Sequence, residues 1–104
     1  MSTDTDLQVE QIRKNKKGIK EPGKFCVIFH NDDMTPMEFV SQLLMTVFHH
    51  DEHAAREIML KVHSEGRAVA GVYIFEVAEQ KAMDSVGIAR NNGFPLTVKL
   101  EPAE

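Results

Sequence analysis

Behind a polar start, hydrophobic and polar positions fall into six blocks. Lys24–His30 (KFCVIFH) is a compact run of β-branched and aromatic residues and predicts a strand. From Pro36 to His49 the apolar residues Val40, Leu43, Leu44, Val47 and Phe48 recur at i, i+3, i+4, i+7 and i+8, the spacing of one helix face. Asp51 then offers an N-cap for a second helix running to about Ser64, with Ala54, Ala55, Ile58, Met59 and Val62 as its apolar positions. Gly66 follows as the expected left-handed stop. Ala68–Phe75 (AVAGVYIF) predicts a second strand. Glu76–Asn92 predicts a third helix, with Val77, Ala78, Lys81, Ala82, Val86 and Ala89 on it, closed by Asn91-Asn92-Gly93. Pro95–Leu100 predicts a last strand in which Leu96, Val98 and Leu100 alternate with Thr97 and Lys99, so one face is wet. The order β-α-α-β-α-β implies an α+β two-layer sandwich of three helices on a three-stranded sheet. The alternating strand favours an antiparallel sheet.

Residues 1–23 lack a sustained period and contain the breakers Gly18, Pro22 and Gly23. They are expected to be a flexible N-terminal extension, because they bury too little to offset the entropy of ordering. Residues 24–104 are then the folded domain, and 104 residues suffice for one modest core. Charge sharpens this division. Residues 1–24 hold six basic side chains against four acidic ones, which leaves −6 for the remainder of a chain whose net charge is −4. An acidic globule does not suit nucleic-acid binding. No apolar run approaches the ~20 residues of a membrane span. Acidic residues near the start argue against an organelle transit peptide. The single cysteine, Cys26, excludes an internal disulfide and a multi-cysteine zinc site, and in a strand it reads as a small buried hydrophobe. A reducing cytoplasm, a monomer and no cofactor are the expectations.

Candidate chemistry concentrates where the first strand runs into the first helix. Thr35 reads as N-cap, Pro36 as first helical residue and Glu38 as the third, a capping box with proline at its start. If Thr35 and Glu38 do the capping, Asn31, Asp32 and Asp33 keep uncommitted acceptors beside the apolar Met37 on the first turn. Acceptors next to an apolar wall suit a ligand with a cationic head and a greasy body. On the second helix, Met59, Val62 and His63 share one face. Packing of the first two helices would bring that face toward Met37 and Val40, with Asn31, Asp32 and His63 at the rim of a small pocket. Elsewhere, His49, Glu52 and His53 spell H-x-x-E-H, a zinc pattern, but it requires an unbroken helical turn where Asp51 predicts a break. A small metal hydrolase there is one reading and a solvated helix corner is the other.

Asn31-Asp32-Asp33 followed by Thr35-Pro36-Met37-Glu38-Phe39-Val40 resembles the signature of the ClpS family, adaptors that deliver N-degron substrates to the Clp AAA+ protease. The resemblance continues through Met59–His63, Gly66, Gly71-Val72-Tyr73, Glu76–Glu79, Lys81 and Pro95-Leu96, over about residues 24–101. It implies a non-enzymatic adaptor that binds the free α-amino group and the bulky first side chain (Leu, Phe, Tyr or Trp) of a substrate. The substrate would pass to a ClpA-type unfoldase for degradation by ClpP. By resemblance, Asn31, Asp32 and His63 hold the α-amino group. Met37, Val40, Met59, Val62, Leu96 and Thr35 form the side-chain pocket, Met37 gating against β-branched residues. Glu76 and Lys81 contact the unfoldase N-terminal domain, and the extension helps hand over substrate. The sequence departs from the family pattern at Met34, often aromatic, at Phe94, often His, and at Ala70, often Cys; the first two bear on the choice of first residue. The alternative is a modulator that blocks other substrates of the unfoldase without reading N-termini.

Overall fold

The computed structural model describes residues 23–103; the expected extension up to residue 22 lies outside them. Along the chain run β1 (Lys24–His30), α1 (Met37–Thr46), α2 (Glu52–Glu65), β2 (Arg67–Ile74), α3 (Phe75–Asn91) and β3 (Thr97–Pro102). This is the β-α-α-β-α-β order that the periodicity predicts. The sheet order is β2-β1-β3 with both pairings antiparallel, so the first strand is central. A central strand must be apolar on its covered face, and Phe25, Val27 and Phe29 of β1 are all buried there. Opposite them pack Val40, Leu43, Leu44 and Phe48, with Ala55 and Val62 of α2. Each of the larger of these side chains contributes roughly 1.5–3 kcal/mol by leaving water. From α3, Ala78, Ala82, Val86 and Ala89 face inward; three of the four are alanine, which lets the helix lie close to the strands. Val77 is instead exposed and Lys81 half-buried, so neither belongs to that inner stripe.

Among the element ends that differ from the expected ones, three have a visible local cause. The capping box does not form: Pro36 is the N-cap of α1 and no side chain caps it. The Thr35 hydroxyl is drawn instead to Asp32. α1 also stops three residues early, because Phe48 turns in to meet Phe29 edge-on at 5.4 Å and His49 adopts φ 61°. β3 begins at Thr97 rather than Pro95, since Leu96 and Phe94 give their carbonyls to Arg90. By contrast Asp51 caps α2 by accepting from the Ala54 N–H at 2.8 Å, and Gly66 closes it at φ 87°.

β1 and β2 change register between Val27 and Ile28, with Ala70 as the extra residue on β2. A bulge leaves a backbone group unpaired, and the His50 ring takes the Ala70 carbonyl. Next to it the Tyr73 ring lies over Gly71, where a Cβ would come within 2.5 Å of the Tyr73 hydroxyl.

Among the described residues, no helix covers the other face of the sheet. Arg67 lies opposite His30 and Glu101 opposite Cys26, so the Arg67–Glu101 ion pair (3.0 Å) runs diagonally over Ile28. Beneath that pair Ile28 is only 2% exposed, although none of the described helices packs on it. Cys26, expected to be buried, is half-exposed because it stands on this open face.

Candidate functional site

Between β1 and α1 the chain turns on Asp32. One carboxylate oxygen accepts from the Met34 and Thr35 backbone N–H groups at 2.7 and 2.8 Å, and the other from the Thr35 hydroxyl at 2.7 Å. Aspartate is suited to this, since its short side chain reaches backbone two and three residues on. Asp32 and Thr35 are therefore engaged in building the turn, which corrects the picture of Asp32 as an uncommitted acceptor. Asp33 is exposed, and no hydrogen bond from its carboxylate occurs among the described residues.

The turn is tied to α2. The Asn31 N–H donates to the Gly66 carbonyl at 2.9 Å, while the Gly66 N–H donates back to Val62 at 3.0 Å. Gly66 lies three residues after His63, less than one helical turn along. Asn31 and His63 thus stand on one side of the molecule, both exposed. Beneath them the apolar residues divide by depth. Val40, Val62 and Leu96 are buried in the core cluster, Met59 is half-buried against it, and Met37 is half-buried. Met37 opens α1, one residue beyond its proline cap. Met34, at the tip of the turn, is 68% exposed.

His30, the residue before Asn31, ends β1 on the open face, and its Nε2 is buried with no partner among the described residues. Burial lowers its pKa first, and the cations Lys99 and Arg67 add to this, partly offset by Glu101.

The loop that carries Phe94 and Leu96 is held by Arg90, a residue that sequence reasoning passed over. Phe94 packs edge-on against Phe39 of α1 with ring centroids 4.8 Å apart. Arg90 donates to the Phe94 and Leu96 carbonyls at 2.9 and 3.1 Å. The available signal was a basic residue in the last turn of a helix, where such side chains commonly satisfy orphan carbonyls.

The remaining candidates lie elsewhere. Glu76 is exposed in the first turn of α3. Lys81 points inward: its ammonium donates to the Val47 carbonyl at 2.7 Å and sits 5.4 Å from the Tyr73 ring centroid and 5.9 Å from that of Phe48. An open cavity of about 470 Å³ beside it is lined by Thr46, Val47, His49, Asp84 and Ile88 among others, and by none of the residues around Asn31 and His63. The H-x-x-E-H residues are split, with His49 before the break and Glu52 and His53 on the first turn of α2. Among the described residues no three His, Cys, Asp or Glu gather as a metal site, and no helix is long and apolar enough to cross a membrane.

Residues 20–99 match the family described as ATP-dependent Clp protease adaptor protein ClpS. This chain belongs to the ClpS family. It is 46% identical to the ATP-dependent Clp protease adapter protein ClpS of Sodalis glossinidius, over 93% of this chain and 89% of that one. Identity to the ClpS of Shewanella halifaxensis is 42%, over 91% and 94% of the two chains. In three dimensions it resembles Agrobacterium tumefaciens ClpS2, solved bound to L-phenylalaninamide. The TM-score is 0.76 at 37% identity, covering 80% of this chain and all of the other. Family membership makes the chain a Clp protease adaptor and agrees with the observed fold of three helices on an antiparallel sheet.

Proposed function

We propose that the protein reads the N-termini of substrates and delivers them to a ClpA-type unfoldase, binding the free α-amino group together with a Leu, Phe, Tyr or Trp side chain. The observation that carries this reading is the Asn31–Gly66 backbone bond, which holds the acceptor-rich turn against the end of α2 that bears His63. An α-ammonium has three donors and no acceptor, so it needs acceptors around it. The Asn31 side-chain oxygen and a His63 ring nitrogen supply two. The carboxylate is that of Asp33, with Asp32 and Thr35 as the scaffold that aims it. The first side chain enters over Val40, Val62 and Leu96 between Met37 and Met59. Met37 stands at the entrance and rejects β-branched residues. The ligand of the Agrobacterium relative supports this reading: L-phenylalaninamide is a free α-amine carrying a benzyl group.

Charge-assisted bonds of roughly 1.5–3 kcal/mol each and a buried side chain of about the same magnitude outweigh the immobilisation of a peptide end. The balance corresponds to roughly micromolar binding. Neither half suffices alone, which separates a chain terminus from an internal Leu.

Contact with the unfoldase runs along the exposed start of α3 at Glu76. Lys81 takes part only by releasing Val47, so its first role is to hold the end of α1 against α3. The test is a fluorescence-polarisation panel of peptides that differ in the first residue, each free and acetylated. Binding of Leu- and Phe-initiated peptides, abolished by acetylation, is the expected result. Absence of binding, with retained inhibition of other unfoldase substrates, would establish the modulator reading instead.

A further inference from the structure

We infer that Arg90 is a positioning residue for first-residue selectivity, acting through the loop that carries Phe94 and Leu96. This rests on the N-terminus reading above. Arg90 lies in the last turn of α3, half-buried, and one guanidinium nitrogen donates to both loop carbonyls. The loop is tied back to the helix at further points. The Gly93 N–H donates to the Arg90 carbonyl at 3.0 Å and the Phe94 N–H to that of Ala89 at 2.8 Å. Gly93 makes the reversal at φ 80°. A five-residue connection is thereby braced from its first residue to its last.

What the brace presents is part of the candidate pocket. Leu96, 1% exposed, belongs to the floor. Phe94 meets Phe39, which sits between the gate residue Met37 and the floor residue Val40 on α1. A chain of direct contacts therefore leads from the Arg90 guanidinium through Phe94 to the first turn of α1. Arg90 touches none of the residues assigned to the α-amino group. Loosening the brace should alter which side chain fits while leaving recognition of the chain end intact. Arginine suits the task, since its rigid, always charged guanidinium presents the two N–H groups of one nitrogen to the two carbonyls.

The experiment compares the wild type, Arg90→Met, which keeps an apolar stem, and Arg90→Lys, which keeps one cation. Affinities for Phe-, Leu- and Trp-initiated peptides are measured with melting midpoints. Methyl NMR of Met37 and Val40 is recorded without peptide. Arg90→Met is expected to change the Phe-to-Leu affinity ratio by at least about threefold, to stay sensitive to acetylation and to shift both methyl resonances. Arg90→Lys should fall between. A common loss for all peptides, or an unchanged ratio, with both resonances unmoved would overturn the inference. If the wild type binds no peptide through its N-terminus, the functional reading fails by itself. The methyl spectra then still decide whether Arg90 controls the wall.

Discussion

Two adjacent carboxylates, Asp32 and Asp33, should fail in opposite ways. Asp32 carries three short hydrogen bonds, two of them to backbone N–H groups. Asp32→Ala removes both acceptor oxygens, and with them all three bonds, at a half-buried turn. The bonds are partly solvated, so the comparison is with the loss of a helix cap, about 1–2 kcal/mol, not with three fully buried charged bonds. Urea unfolding of the domain should show that loss as a lower midpoint at unchanged slope. Peptide affinity should fall as well, because the same turn orients Asn31 and Met37. Asp32→Asn keeps an oxygen for the backbone donors and should recover most of the stability. Asp33→Asn removes a charge from an exposed group that holds nothing in place, so stability should stay within about 0.5 kcal/mol. If that carboxylate meets the α-ammonium, losing a charge-assisted bond of roughly 1.5–3 kcal/mol weakens binding by about ten- to a hundredfold. The pair of assays separates the roles. An Asp32→Ala protein of wild-type stability, or an Asp33→Asn protein of wild-type affinity, would refute the assignment.

Three further outcomes follow from the same geometry. Met37→Ala should admit Ile- and Val-initiated peptides, measured by fluorescence polarisation, and unchanged rejection of both would place the gate elsewhere. Lys81→Met should lower stability by about 1–2 kcal/mol through the lost bond to Val47, seen in urea unfolding; wild-type stability with lost unfoldase binding would make Lys81 an interface residue alone. His30 has a folded-state pKa below its ordinary 6.5, so the unfolded chain takes up its proton first. Stability is then fully present above pH 6.5 and declines as pH falls from there through the lowered value. In His30→Gln that part of the slope between stability and pH should disappear; an unchanged slope would exclude His30 as its source.

The hydrophobic rhythm made the elements legible because each is a local property: a helix face repeats within four residues and a strand face within two. Asp51 and Gly66 were readable as helix ends for the same reason, since their partners lie within four residues along the chain. Thr35, equally well placed to cap, was misread because Asp32 competes for its hydroxyl, and both outcomes are consistent with the local sequence. The family motif likewise pointed to Asn31, Met37 and His63 from residue order alone.

Other features depended on distant segments meeting. Ile28 is covered because strand register carries Arg67 and Glu101, 34 positions apart, across it. Lys81 turns inward because the end of α1 brings it a carbonyl from 34 residues earlier. Cys26 is half-exposed because the three described helices lie on the opposite face of the sheet. Thus the chain itself specified the elements, their order and the residue types proposed for the site. Tertiary packing decided which carboxylate builds the turn, which lysine faces inward and what braces the loop of Phe94 and Leu96. Side-chain pairing across strands and helices is set by register and by mutual exclusion of volume, and no window of neighbouring residues contains either.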